Sequence, residues 1–446
     1  MSAPGATLSE RWRDTLRRGP GETALIEAAE GRVFTRAQLQ AGADAWLAGP
    51  AAGAVLARRR VGLAVPNGAA WLEVFLALQQ AGAVPVLLDA SEGADRLRGQ
   101  AAGLGAALLW AEGGLQPTGG RARACPADHC LVKVTSGSTG APKGLPFTHA
   151  QAAADGLQVC SSMGIRETDT NFALIPLGHS YGLGNLVLPL LLQGSPVLCG
   201  SMPLPHCIAA DCTRWRPSLF PAVPTLLRAL LRSGLPGDAL APLRGVISAG
   251  SPLDPAEAAA FVSRFSIRVH SFYGSSETGG ISYDRSGEAA VTGRSVGTPL
   301  DGVTLRFARG GRFHVSGAAV LGRGSFSPSD RGELTPEGEL RLVGRVGRLF
   351  KIGGRRLDLA GLEAEIGAVL SARGVVVAAH PERPESLAAL VACDHGVQEA
   401  RALLSARLAA WKVPARVRVV QELPSTQRGK TDRRRAVELL AGVAAS

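Results

Sequence analysis

Residues 135–144 run Thr-Ser-Gly-Ser-Thr-Gly-Ala-Pro-Lys-Gly. Hydroxyls and unhindered amides alternate across Thr135, Ser136, Gly137, Ser138, Thr139 and Gly140, and a cation follows at Lys143. Glycine lets backbone N–H groups approach a ligand closely, the hydroxyls add donors, and the lysine adds one flexible charge. That combination suits a triphosphate. It is not the Gly-x4-Gly-Lys-Ser/Thr loop, because Ala141 and Pro142 separate Gly140 from Lys143. A Ser/Gly linker is the plain alternative, but an apolar run at 130–134 precedes this segment and Pro-Lys-Gly closes it.

Lysine usage is a second chemical signal. Only five of the 48 basic residues are lysines: Lys133, Lys143, Lys351, Lys412 and Lys430. A guanidinium does not reproduce a compact ammonium on a flexible stem, so these positions are candidates for work that arginine cannot do. The formal net charge of +11 points to an anionic partner. The basic residues are dispersed, with triplets only at 58–60 and 433–435, and no basic stripe is interleaved with aromatics. A small anionic substrate is therefore an equally good reason for the charge.

The elements that must position these groups read as α/β. A short strand, a turn at Glu30-Gly31 and a helix capped by Thr35 occupy 25–47. Strands at 61–65 and 84–88 flank a helix at 71–81. The same rhythm returns at 171–176, 183–192 and 196–198, and again at 244–248, 255–264 and 268–272. That pattern predicts parallel layers. From 287 to 343, short β runs alternate with Gly and Asp turns, and a small β subdomain is expected. The last hundred residues predict a separate α+β domain, with helices at 362–370 and 397–408 and strands at 375–379, 387–393 and 416–420. A chain of 446 residues, 46% hydrophobic and 19% charged, can bury a sizeable core. No run approaches the roughly 18 apolar residues of a membrane span. Residues 1–20 lack a secretory pattern, and the seven cysteines are odd in number and scattered. A cytoplasmic protein with reduced thiols is expected.

The 135–144 loop resembles the phosphate loop of the acyl-adenylate-forming superfamily: acyl- and aryl-CoA synthetases, adenylation domains of peptide synthetases, and beetle luciferases. Further segments resemble that family in order. Residues 176–182, Pro-Leu-Gly-His-Ser-Tyr-Gly, are similar to its Pro-Leu-x-His segment, which implies His179 at the wall of the carboxylate pocket. No Asp in that segment would hold an amino-acid ammonium, so an acid without an α-amino group is favoured. Gly250, Ser251 and Pro252 resemble the loop beside adenine. Residues 271–278 resemble Tyr-Gly-x-Thr-Glu, with Phe272, Tyr273, Gly274, Ser275 and Ser276 on the nucleotide. Tyr273 would stack on adenine, and Glu277 would hold Mg²⁺, a hard cation that takes carboxylate and phosphate oxygens. Ser276 replaces the usual Thr and keeps its hydroxyl.

Asp330 resembles the aspartate that accepts both ribose hydroxyls, and Arg345 follows on the ribose or phosphate side. Gly347 stands where the family has an Asp or Lys hinge, and glycine can absorb the rotation. Lys351, Gly353 and Gly354 resemble the loop lining the thiol tunnel, and Lys430 the catalytic lysine of the Gly-Lys tail. The family's usual Pro is absent at 359–363. The resemblance covers about residues 23–438 and makes Lys430, Glu277, His179 and Thr139 the catalytic set.

It implies a large N-terminal domain of layered α/β sheets at 1–344 and a small mobile α+β domain at 345–446. It also implies an AMP-forming acid–thiol ligase. ATP and Mg²⁺ would activate a fatty or aromatic acid, and CoA or the phosphopantetheine of an acyl carrier protein would accept the acyl group. Two alternatives are a ligase that loads only a carrier protein and a catalytically degenerate member of the fold. A monomer or homodimer is expected, with no nucleic acid and no membrane span.

Overall fold

Two sheets organise the first part of the chain in a computed structural model that describes residues 5–136, 142–345, 349–352, 355–426 and 429–442. The larger sheet has nine strands. Its parallel centre runs Val269–Ser275, Gly245–Ser248, Leu219–Ala222, Asn171–Ala173, Val197–Cys199 and Thr23–Glu27. Antiparallel strands close both sides, Gly279–Tyr283 and Thr298–Pro299 on one and Arg32–Thr35 on the other. The six-stranded sheet has a parallel centre of Ala106–Ala111, Arg60–Ala64, Val84–Leu87 and His129–Ser136. Its antiparallel edges are Gly114–Pro117 and Pro142–Thr148.

Parallel strands covered on both faces read as continuous apolar runs, and Val84–Leu87, Leu219–Ala222 and Gly245–Ser248 are buried at every position. One apolar cluster draws residues from both sheets, including Leu25, Val61, Leu131, Ala173 and Val197. Helix Ala69–Gln80 joins it with eight buried residues, from Ala69 to Leu78. A second cluster packs Phe172, Phe220 and Val246 of the larger sheet against Ile208, Leu227 and Phe261.

The chain divides into two compact units: Met1–Leu305 with Val315–Phe326, and Arg306–His314 with Ser327–Ser446. In the second, a three-stranded sheet is ordered Gly374–His380, Arg383–Ala392, Arg416–Val420. Along its central strand the side chains alternate. Leu387, Ala389 and Val391 join the cluster containing Leu362, Ile366 and Leu404, while Ala388 and Leu390 join Ala436 and Leu440.

The parallel layers and the α+β end match the sequence pattern, and Thr35 caps its helix as expected. Its hydroxyl accepts from the Gln38 N–H at 3.2 Å, and Gln38 accepts from the Thr35 N–H at 2.8 Å. Helix Leu8–Arg18 is not legible in the sequence, because it buries only Leu8, Trp12 and Thr15 among charged neighbours. The helix expected at 183–192 is interrupted by a π-turn at Leu183–Val187 between α segments Ser180–Gly182 and Leu188–Gln193. The 287–343 stretch holds short strands, as expected, but opens with a helical turn at Glu288–Thr292.

Candidate active site

Four segments singled out by sequence in the first unit leave the carboxyl ends of parallel strands. Thr135 and Ser136 end His129–Ser136, and Gly250 to Pro252 follow Gly245–Ser248. Phe272 to Ser275 end Val269–Ser275. The loop carrying His179 follows Asn171–Ala173, whose neighbours are Val197–Cys199 on one side and Leu219–Ala222 on the other. The chain therefore departs in both directions from this strand. Open parallel sheets bind ligands outside their carboxyl ends at such a switch point.

The strands on either side of the Gly/Ser/Thr loop form an antiparallel pair. Strands His129–Ser136 and Pro142–Thr148 pair Thr135 with Lys143 and Ser136 with Pro142, and Lys143 is exposed. Gly137, Ser138, Thr139 and Gly140 lie outside the described residues.

Hydrogen bonds fix the segment after Tyr273. The Thr278 hydroxyl, 1% exposed, accepts from the Ser275 N–H at 3.3 Å, meets the Ser275 hydroxyl at 3.1 Å and donates to the Gly279 carbonyl at 3.0 Å. The Thr278 N–H closes the turn on the Ser275 carbonyl at 3.3 Å. Ser276 and Glu277 occupy the two central positions of that turn. Strand register shifts between Tyr273 and Gly274, a bulge of the kind that re-aims side chains beside active sites. Gly274 is required there, because a Cβ would stand 2.5 Å from the Gly279 carbonyl oxygen. Phe272 packs on Tyr181 with ring centroids 5.7 Å apart, and the Tyr181 hydroxyl donates to the Ile247 carbonyl at 2.7 Å. Burial raises the Tyr181 pKa well above its ordinary value, so this phenol stays protonated.

The His179 segment is tied to its neighbours on both sides. Ser180 Oγ donates to Ser276 Oγ at 2.9 Å, joining two of the expected site segments directly. Asn67 donates to the Ile175 carbonyl at 2.8 Å and accepts from the Leu177 N–H at 2.9 Å. His179 Nε2 lies 3.6 Å from Asp89 Oδ2, both side chains largely buried. Asp89 follows Val84–Leu87 of the other sheet, so the pair joins the two sheets at their carboxyl ends. Sequence reasoning missed Asn67 and Asp89. Asn67 reads as an ordinary Pro-Asn-Gly turn residue, and nothing local marks Asp89.

The second unit carries the remaining residues singled out by sequence. Asp330 and Arg345 stand opposite each other across the ribbon Asp330–Leu334/Leu340–Arg345. Lys430 is exposed on a tight turn. Ser425 bridges Thr431, the Thr426 N–H donates to the Lys430 carbonyl at 2.8 Å, and the Gly429 N–H donates to the Thr426 carbonyl at 2.9 Å. Asp432 then caps helix Arg433–Ala441 by accepting from the Arg435 N–H at 3.0 Å. Lys351 lies on strand Leu349–Ile352. Gly347, Gly353 and Gly354 lie outside the described residues.

Lys412 and Lys133 have structural partners. Lys412 donates to both Glu365 oxygens, at 2.7 and 2.9 Å, and Lys133 pairs with Asp155 at 3.2 Å deep in the first unit. All seven cysteines are free thiols, and burial pushes those of Cys160 and Cys212 up to about 12. These two thiols are unsuited to act as nucleophiles.

Among the described residues no three His, Cys, Asp or Glu side chains gather into a cage for a metal ion. A phosphate-bound Mg²⁺ needs only one or two carboxylates beside its phosphates and waters. Glu277 fits that requirement: it is half-buried at the tip of a rigid turn, and its carboxylate has no hydrogen bond or ion pair among the described residues.

The AMP-binding enzyme family matches residues 114–308, and the AMP-binding enzyme C-terminal domain matches residues 365–430. The chain is 29% identical to feruloyl-CoA synthase of Amycolatopsis over 93% of its length and 95% of the relative's. It is also 29% identical to benzoate–CoA ligase of Thauera aromatica, over 69% of the chain and 65% of the relative. In fold it is similar to ATP-bound MatB from Rhodopseudomonas palustris, with a TM-score of 0.80, 22% identity and coverage of 97% and 98%. It is likewise similar to the anthranilate CoA ligase AuaEII in complex with anthranoyl-AMP, with a TM-score of 0.79, 20% identity and 99% of each chain covered. The chain belongs to the acyl-adenylate-forming superfamily of AMP-binding enzymes.

Proposed function

We propose that this enzyme activates a carboxylic acid, aromatic in preference to fatty and not an amino acid, as its acyl-AMP and passes the acyl group to the thiol of CoA. In the first step a carboxylate oxygen attacks the α-phosphorus of ATP, and pyrophosphate leaves. In the second the thiol sulfur attacks the acyl carbonyl, AMP leaves with the bonding pair, and the thiol proton is released. The observation that carries this reading is the Ser180–Ser276 hydrogen bond of 2.9 Å. It joins the His179 segment to the turn that carries Ser276 and Glu277. Acid recognition and phosphate recognition then share one rigid wall. Feruloyl-CoA synthase and benzoate–CoA ligase among the relatives favour an aromatic acid and CoA as acceptor.

In this reading Tyr273 stacks on adenine, Asp330 accepts from the ribose hydroxyls, and His179 orients the acid. Ser276, Lys143 and the hairpin loop hold phosphate oxygens, and Lys430 adds positive charge where the α-phosphoryl oxygens gain negative charge. Glu277 would hold Mg²⁺, which supplies further charge neutralisation on the phosphates when bound. Little covalent chemistry falls to the protein, so positioning and electrostatics set the rate. Alternation of the C-terminal region about Gly347 would withdraw Lys430 and bring the Lys351–Gly354 loop to the thiol step.

The test is pyrophosphate release from ATP and Mg²⁺ without thiol, across benzoates, cinnamates, fatty acids and amino acids, followed by CoA addition. Release with an aromatic class and thioester formation on adding CoA are expected. Silence across the panel from a folded protein that binds ATP would contradict the proposal.

A further inference from the structure

Lys133 is fully buried, and nothing in the proposed reaction uses it directly. Its Nζ lies 3.2 Å from Asp155 Oδ2, with the two side chains 2% and 3% exposed, and 4.3 Å from the centre of the Phe147 ring. The other Asp155 oxygen accepts from the Gly280 N–H at 3.1 Å. Glycines surround this carboxylate. A Cβ at Gly279, whose φ is +69°, would stand 2.2 Å from Asp155 Oδ1, and one at Gly184 would stand 3.6 Å from Oδ2.

Each neighbour of Asp155 is one short step from a different part of the site. Lys133 precedes Thr135 by two residues on the strand that enters the phosphate hairpin. Gly279 and Gly280 follow the turn that presents Ser276 and Glu277. Gly184 lies in the π-turn directly after the His179 segment, and π-turns concentrate at functional sites. A buried ion pair is a poor choice for stability alone, since two desolvated charges cost about as much as their attraction returns, and apolar residues of similar volume do as well. What such a pair can add is registry between the elements that carry it.

We propose that Lys133 and Asp155 are a positioning pair that sets the mutual register of the phosphate hairpin, the Ser276–Glu277 turn and the His179 segment. The inference rests on the adenylation reading above. The bridge, rather than its charge, is the working feature. Two charge-free variants separate this role from simple stabilisation. Lys133→Gln/Asp155→Asn keeps a hydrogen-bonded bridge and the acceptor for Gly280. Lys133→Met/Asp155→Ala leaves neither an orphan charge nor a bridge. Val159→Ala, a cavity one turn along the same helix at a fully buried position, is the control for lost stability.

Acid-dependent pyrophosphate release by the full chain is measured below the melting temperature of every variant. The Met/Ala variant is expected to raise KM for ATP and lower kcat, with kcat/KM down about tenfold to a hundredfold, as small misplacements of reacting groups do. The Gln/Asn variant is expected to stay within about threefold of the parent, and Val159→Ala to lose melting temperature but not kcat/KM. Parent-like kinetics in the Met/Ala variant, or an equal kinetic loss in Val159→Ala, overturns the proposal. If the parent chain activates no acid, the adenylation reading fails, but ATP affinity by calorimetry still reads the pair. Weakening of about tenfold in the Met/Ala variant alone supports registry, and unchanged affinity overturns it.

Discussion

The Glu277 turn and the Lys430 turn present their side chains by opposite means. Glu277 sits on a turn locked by the buried Thr278 hydroxyl, with the Asp155 carboxylate directly behind it. Polar groups without water to replace lost partners hold it, so a change in its support should cost both stability and geometry. Lys430 sits on an exposed turn held by a few backbone hydrogen bonds and a capped helix. Its side chain contributes no core packing. One region is preorganised by burial, while the other presents a single charge on a small scaffold with its own core. The role proposed for Lys430, a charge for only one of two half-reactions, suits the second kind of support.

Three substitutions sharpen that comparison. Glu277→Gln removes the carboxylate but keeps the turn, since the Thr278 bonds do not involve it. Pyrophosphate release should fall about a hundredfold, with the melting temperature unchanged. A matching fall in melting temperature would place Glu277 in the structure rather than the chemistry.

Asp432→Ala removes the cap behind the Lys430 turn and should cost about 1 kcal/mol by denaturant unfolding. Pyrophosphate release should change only severalfold. A loss as deep as that of Glu277→Gln would show that the scaffold, and not the lysine alone, is critical.

The smallest effect concerns His270, on the strand that ends in the Tyr273 segment. Burial lowers its pKa, against the pull of the Asp284 carbonyl 2.7 Å from Nδ1. The folded state then binds fewer protons than the unfolded chain. Stability should fall as pH drops from the ordinary histidine value of 6.5 to the lowered folded one, and level off below it. His270→Gln should flatten that part of the profile, read by thermal unfolding at a series of pH values.

What the sequence revealed was local. The Thr35 N-cap and the strand expected at 387–393 are written in neighbouring residues and are found in the fold. What stayed hidden was nonlocal. Asp89 and His179 are ninety residues apart on different sheets and acquire meaning only when the carboxyl ends meet. Lys133 stands two residues before Thr135, yet its ammonium points into the core toward Asp155, a residue with no motif of its own. The π-turn at Leu183–Val187 was equally silent, because an apolar run reads as helix whatever its hydrogen-bond step.

The most direct test measures Lys430→Ala in both half-reactions. Pyrophosphate release should fall about a hundredfold or more, while conversion of supplied acyl-AMP and CoA to thioester stays close to the parent rate and the melting temperature does not move. Equal loss of both half-reactions would contradict the account, because Lys430 would then not be a charge reserved for adenylation.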